Sequence, residues 1–465
     1  MVRRSSREPP PRTGIEACVS LFALRDYRHL FAAQVIALLG TGLATVALGL
    51  LAYRLAGGNA GMVLGSALVL KMVTYVVIAP VAGAYADRLP RRATLVALDL
   101  IRALVVLALP FVSAVWQVYV LIVVLQAASA AFTPAFQAVL PDILPTEREY
   151  TRALSAAQFA STMESLLSPA AAAAALTVVS FPWLFTATSV CFAGSALLVV
   201  TASIPAAAPV GRAGVRERLT AGLWIHGATP RLRGLLGLNL AVASAGAMVV
   251  VSTVNYVRDT LGRSPVDVAL LLAANGVGTA LAAAALPALL ARLSERPVML
   301  AGGAVLTGGA VCAVVLSTVD SGSGRMPAAM VVWSLLGVGA GLVLTPVGRV
   351  LRRSTGAADR PAIFAAQFSL SHACWVPAYA IAGFLGSAAG FTVAWSVLTL
   401  LAAGGLLVAA RAWPRPDPEA IEHVHRAPVG DPGHLLDAVE VAPGAWRHRH
   451  TYVIDDMHRR WPAAG

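Results

Sequence analysis

Apolar residues run along this chain in long blocks rather than in the short alternation of strands. Twelve blocks, at 30–53, 61–85, 94–113, 116–137, 153–178, 182–204, 234–256, 265–289, 297–319, 326–348, 362–386 and 391–411, each reach the roughly 20 residues that a membrane-crossing helix needs. Short polar, Arg-bearing or Gly-bearing segments separate them. The pattern predicts an all-α membrane protein of twelve transmembrane helices. Composition agrees: 12% of the 465 residues are charged, against about 25% in a soluble domain.

The most informative polar interruption lies between Pro80 and Arg102. One apolar run ends at Ala86, and a tight turn follows with Asp87, Arg88, Pro90, Arg91 and Arg92. The next run carries Asp99 and Arg102 three residues apart. Gly83, Asp87, Arg88, Arg91 and Arg92 resemble the Gly-x-x-x-Asp-Arg-x-Gly-Arg-Arg gating loop of the major facilitator superfamily, with Pro90 where that family usually has Gly. The Asp-x-x-Arg that follows resembles the drug–proton antiporter branch that contains macrolide and siderophore exporters. The arginine that other drug antiporters carry in the fourth helix is replaced here by Val124-Leu125-Gln126-Ala127. Ser168-Pro169-Ala170 stands where the fifth helix of such antiporters has Gly-Pro-x-x-Gly-Gly. The resemblance implies a secondary transporter of two parallel six-helix halves, with the loop acting as an inner-face gate.

Weak internal repeats fit that expectation. Thr133-Pro134 recurs as Thr345-Pro346, a shift of 212, and Ala156-Ala157-Gln158-Phe159 recurs as Ala365-Ala366-Gln367-Phe368, a shift of 209. Arg88-Leu89-Pro90-Arg91-Arg92 has a looser echo in Arg292-Leu293-Ser294-Glu295-Arg296. The halves fall at 29–204 and 234–411, pseudo-symmetric and joined by a linker at 205–233 with an amphipathic stretch. Residues 1–28 form an arm that ends in an amphipathic lead-in, and 412–465 form a polar tail.

Charge sets the orientation. The formal net charge is +12, and Lys71 is the only lysine among 35 basic residues. The arm holds six arginines, and the loops on its side hold 16. The opposite loops hold Arg54, Arg258, Arg263 and Arg325. Such a bias places both termini in the cytoplasm. It also accounts for the net charge without a nucleic-acid partner. The four cysteines have no disulfide or zinc spacing. No Gly-x-x-x-x-Gly-Lys-Ser/Thr loop is present, so no nucleotide or other cofactor is expected. The chain reads as a non-enzymatic, multi-pass protein of the cell membrane, in contact with lipid.

Several polar groups lie deep in apolar runs, where each requires a partner or a cavity. Lys71 is near the middle of the second run and either lines a cavity or forms an ion pair. Asp99 and Arg102 share one helical face, as a neutral structural pair or as proton-handling groups. Glu164 lies about twelve residues beyond Arg152, about 18 Å along a helix, and His372 is as far beyond Arg360. Under the shift of 209, Glu164 corresponds to Ala373, next to His372. Glu164, His372 and Asp99 are the candidates for proton coupling. Lys71, Arg102 and Asn275 are the candidates for the cavity wall, although Asn275 equally suits a hydrogen bond between helices. The cluster Arg349, Arg352 and Arg353 reads mostly as charge bias.

The tail holds six of the nine histidines. His423 and His425, like His448 and His450, have His-x-His spacing. On extended chain, two such imidazoles face the same way and can share a metal ion. The tail, with Ser371-His372-Ala373-Cys374-Trp375, also resembles nickel-resistance exporters that end in His-rich segments. Three readings stand: a proton-coupled exporter of small amphiphilic compounds, an exporter of a divalent metal, and a membrane sensor on a transporter scaffold.

Overall fold

The computed structural model describes residues 21–462 except 57–59, 86–88, 145, 206–214, 258–260, 264, 319–324, 357–358, 419, 427–437 and 456. Asp87 and Arg88 of the expected gating loop lie outside the described residues.

A first set of helices comprises α1 (Arg25–Ala56), α2 (Ala60–Tyr85), α3 (Arg91–Ala108), α4 (Val115–Ile143), α5 (Glu147–Leu176) and α6 (Pro182–Thr201). The helix α7 (Val215–Ala228) leads to a second set. This comprises α8 (Pro230–Asn255), α9 (Pro265–Leu290), α10 (Glu295–Thr318), α11 (Arg325–Leu344), α12 (Val347–Arg353), α13 (Arg360–Ala388) and α14 (Phe391–Ala412). Helix starts follow local chemistry. Pro182 and Pro361 occupy first turns, where a missing N–H costs nothing. The Thr146 hydroxyl caps α5 by accepting the Glu149 N–H at 3.3 Å.

Nine stretches among the described residues are long and apolar enough to cross a membrane: 25–48, 91–111, 115–143, 182–201, 230–251, 270–290, 295–318, 325–353 and 391–412. The three other expected spans are helical, as α2, α5 and α13, and the described stretch 70–85 of α2 is apolar as well. They are the helices that carry Lys71, Glu164 and His372. Thr133-Pro134 and its repeat also differ: Pro134 lies inside the unbroken α4, whereas Thr345-Pro346 interrupts the helix between α11 and α12.

Buried apolar side chains form three clusters. One draws its fully buried members from 225–454, apart from Ala138. The other two come from 37–192 and 21–202. The lead-in has one buried and one exposed face: Leu21 and Tyr27 are buried, Leu24, Arg25 and Arg28 are exposed, and Phe22, Tyr27 and Phe31 pack their rings together. In the second set, α9 and α11 touch backbone to backbone. A Cβ on Gly278 would strike the Ser334 carbonyl, and one on Gly337 would strike the Asn275 carbonyl. Small residues permit such an approach, and hydrogen bonds then cross it. The Asn275 amide donates to Trp333 O at 3.0 Å, and the Ser334 hydroxyl to Ala274 O at 3.1 Å.

The tail departs from the all-α expectation. It folds into an antiparallel sheet of β1 (Ala420–Arg426), β2 (Val439–Ala442) and β3 (Ala445–Thr451), in the order β1-β3-β2. The physical reason is alternation: His-x-His and the neighbouring Val and Ile suit a pleat of period two, and a membrane-span search passes over so short a pattern.

Candidate functional site

The first set of helices encloses a cavity of ≈ 310 Å³ whose wall includes Lys71, Tyr75, Arg102, Gln126, Phe132 and Phe192. A second cavity, of ≈ 300 Å³, lies where both sets meet. The two share Gln34, Thr133, Gln137 and Ser161 as wall residues. Both members of each clear repeat face the second cavity: Thr133 with Thr345, and Gln158 with Gln367.

Lys71 projects from α2, with its Nζ 5.5 Å from the centre of the Tyr75 ring one turn on. It lies within electrostatic reach of Glu164 on α5 and His372 on α13. The Tyr75 hydroxyl donates to Gln126 Oε1 at 3.0 Å, and its ring meets His372 edge-on at 4.9 Å. His372 Nδ1 lies 2.7 Å from the Phe368 carbonyl oxygen, which can only accept, so Nδ1 carries the proton. His372 therefore keeps an acceptor lone pair on Nε2, and it lines the second cavity. Glu164 Oε1 lies 3.5 Å from the Ser168 hydroxyl one turn along α5. The structure thus sets the imidazole against Tyr75, whereas Glu164, on neither cavity's wall, faces α1, where a Cβ on Gly42 would lie 2.6 Å from its Oε1.

Asp99 and Arg102 form a buried ion pair on α3. Asp99 also accepts from the Ser195 hydroxyl on α6 at 2.8 Å. The Arg102 guanidinium is held between the rings of Phe132 at 4.2 Å and Phe192 at 4.6 Å. Asp99 is fully buried and is absent from the walls of both cavities. Asn275 sits in the α9–α11 contact rather than on either wall.

A network of ion pairs joins the two sets at the face where α2, α4 and α12 end and the tail begins. Arg91 Nη1 lies 2.7 Å from Asp142 Oδ2, and Asp142 Oδ1 pairs with Arg360 at the start of α13. Glu147 lies 3.1 Å from Arg349, which also pairs with Glu295 at 2.9 Å. Arg353 continues from Glu295, at 2.7 Å, to Asp417 in the tail. Of the expected loop, Gly83 lets α2 approach α13, since a Cβ there would lie 2.6 Å from Ala365 Cβ. Arg91 joins the network, and Arg92 is exposed. The arginines at the end of α12 are thus more than charge bias: Arg349 bridges the two sets. The echo Arg292-Leu293-Ser294-Glu295-Arg296 marked one of its partners, Glu295, in the sequence.

In the tail, β1 and β3 pair with His423 opposite His448 and Ile421 opposite His450. Donor nitrogens of His423, His425, His448 and His450 all lie within 4.8 Å of one another. His458, distant from these pairs in sequence, joins them: its Nε2 is 3.1 Å from that of His423 and 3.2 Å from that of His425.

Long helices around a central pair of cavities, with the two sets joined on one face by ion pairs, define a multi-pass membrane protein of the transporter type. The Major Facilitator Superfamily profile matches residues 30–233 and 235–452, and the chain belongs to that family. A segment is 28% identical over 149 residues to macrolide efflux protein A of Streptococcus pyogenes, covering 31% of this chain and 36% of that protein. Another is 33% identical over 95 residues to the uncharacterized MFS-type transporter YfiS of Bacillus subtilis, covering 20% of this chain and 22% of that one. The chain therefore aligns with about a third or less of these relatives. Among solved structures, the human organic anion transporter MFSD10 (TETRAN) superposes with a TM-score of 0.69 at 14% identity, covering 83% of this chain and 99% of that one. A bacterial homologue of the iron transporter ferroportin, in an outward-facing state, superposes with 0.66 at 15% identity, covering 84% and 98%. At these identities the likeness is one of fold.

Proposed function

We propose that the protein exports small amphiphilic organic compounds by alternating access, driven by protons. The chain would cross the cell membrane twelve times as two six-helix halves, 29–204 and 234–411, with both termini in the cytoplasm. The observation that carries this reading is the paired cavity. Its aromatic and aliphatic wall suits an amphiphile, Lys71 and His372 are on that wall, and Glu164 lies within electrostatic reach of Lys71. An acid and an imidazole sensing one lysine offer proton sites whose occupancy shifts when that lysine meets a substrate. The repeated Thr and Gln pairs on one cavity support the two-half arrangement. The similarity to macrolide efflux protein A supports export of an organic compound.

The test is flux into proteoliposomes with an imposed pH gradient, using labelled macrolides and dyes in one arm and Ni2+ and Co2+ in another. Gradient-dependent movement of an organic compound supports the reading. Movement of metal alone would assign the cavity to a cation instead. No flux of either would leave the sensor reading. The tail histidines favour a role for metal, but of the imidazoles only His372 lines either of these two cavities.

A further inference from the structure

We propose that the tail is a folded metal-binding module in which His423, His425, His448, His450 and His458 hold one transition-metal ion, with Asp455 orienting His458. The argument rests on where the ring protons must be. His458 Nδ1 lies 2.9 Å from Asp455 Oδ1, and that oxygen also accepts the backbone N–H groups of Met457 at 2.9 Å and His458 at 2.7 Å. His423 Nδ1 lies 3.2 Å from Ile421 O, and His450 Nδ1 lies 2.7 Å from Thr451 O. Carbonyl and carboxylate oxygens only accept, so each of these Nδ1 atoms is a donor. A neutral imidazole has one N–H. The Nε2 atoms of His423 and His458 therefore present lone pairs to each other at 3.1 Å.

His425 converges on the same point: its Nε2 is 2.9 Å from that of His423 and 3.2 Å from that of His458. Lone pairs converge in this way around a cation. Donors bound to one ion at about 2.1 Å stand about 3.0 Å apart when they meet at right angles. The three observed separations match that spacing. An Nδ1–H held by a carbonyl or a carboxylate is also the outer-shell arrangement of metal-binding histidine. Imidazole donors without thiolate select ions such as Zn2+, Ni2+ or Cu2+ over Mg2+ or Ca2+.

The sequence pattern builds the site with little freedom. His-x-His on β1 and on β3 puts four imidazoles on one face of the sheet, staggered so that only His423 and His448 stand directly opposite. The return segment brings the fifth and is itself seated on the helices: Tyr452 and Ile454 are buried in the cluster of the second set, and the Arg231 guanidinium covers the Trp461 ring at 4.9 Å.

The experiment uses the full-length protein in detergent, stripped of metal and titrated with Co2+, whose visible absorption reports imidazole coordination. Wild-type protein is expected to bind about one Co2+ per chain with a ligand-field band. His423→Ala and His458→Ala should each weaken binding by about tenfold or more, while His372→Ala, in the membrane cavity, leaves it unchanged. Asp455→Asn should keep the stoichiometry but weaken affinity about 10–100-fold and shift the band. Each variant is first matched to wild type in elution profile and thermal transition without metal, so a lost signal is not lost folding. No Co2+ binding by the wild type would overturn the proposal and leave the cluster held by shared protons alone. Undiminished binding in both tail variants, or loss in His372→Ala, would overturn it equally.

Discussion

At the scale of the residue, the buried pair on α3 shows how a polar group is tolerated inside an apolar bundle. Asp99 has the Arg102 guanidinium and the Ser195 hydroxyl, and Arg102 has two aromatic faces besides. Removing one partner strands the other. Asp99→Ala should lower the stability of the detergent-solubilised protein by about 3–5 kcal/mol, whereas Asp99→Leu with Arg102→Met should recover most of it. Thermal unfolding of the three proteins checks this; equal losses in the single and double variants would refute it. The i,i+3 spacing made the pair legible in the sequence. Ser195 was not legible, because it lies 96 residues away and only the packing of α6 on α3 delivers it. The coupling groups call for a different test. His372→Ala should flatten the pH dependence of transport, and Glu164→Gln should abolish the response to an imposed gradient while leaving substrate exchange. A His372→Ala protein with the wild-type pH profile would remove His372 from the coupling path.

At the scale of the element, long apolar periods located the helices well. The stretches at α2, α5 and α13 were expected as full spans. In the structure they are helices, and they hold Lys71, Glu164 and His372. The role of α12 was hidden. Arg349, Arg352 and Arg353 look like ordinary basic residues at a membrane boundary until Glu147 and Glu295 are brought beside them from two other helices. Arg349→Gln should shift the protein toward states open at that face. In a background lacking the native cysteines, Leu154→Cys or Gln158→Cys on the second cavity should then react several-fold faster with a membrane-impermeant thiol reagent added from the tail side. Unchanged rates would mean that the network does not hold that face shut.

At the scale of the whole molecule, the chain carries two kinds of structure that barely resemble each other in sequence. Some 380 residues, from 30 to 411, follow the rules of the bilayer. The tail follows those of a small sheet, and it was legible only as a run of histidines with a spacing of two. Neither the strand pairing nor His458 could be read in advance, since register is decided by contacts across a gap of some twenty residues. If the tail holds metal as inferred, folding and binding are linked. Co2+ at a hundred times its Kd should stabilise the full chain by about 2.7 kcal/mol, seen as a raised Tm, and a chain ending at residue 411 should show no such rise. An equal rise in both would place the ion elsewhere.

The ion pairs that close the tail-side face have a consequence for how easily it reopens. A seal of interlocked leucines is lost outright when it parts, because every contact is replaced by apolar surface in water. A seal of Asp142 with Arg360 and of Glu147 with Arg349 exchanges one favourable state for another: separated, each charge regains its hydration shell. The attraction and the hydration nearly cancel, so the depth of the closed well stays small while its geometry stays sharp. Such a latch registers one alignment of the two helix sets without trapping them in it. Its strength also falls with dissolved salt, which screens the attraction and leaves hydration largely intact. The hold of one helix set on the other at that face therefore depends in part on the solution bathing it.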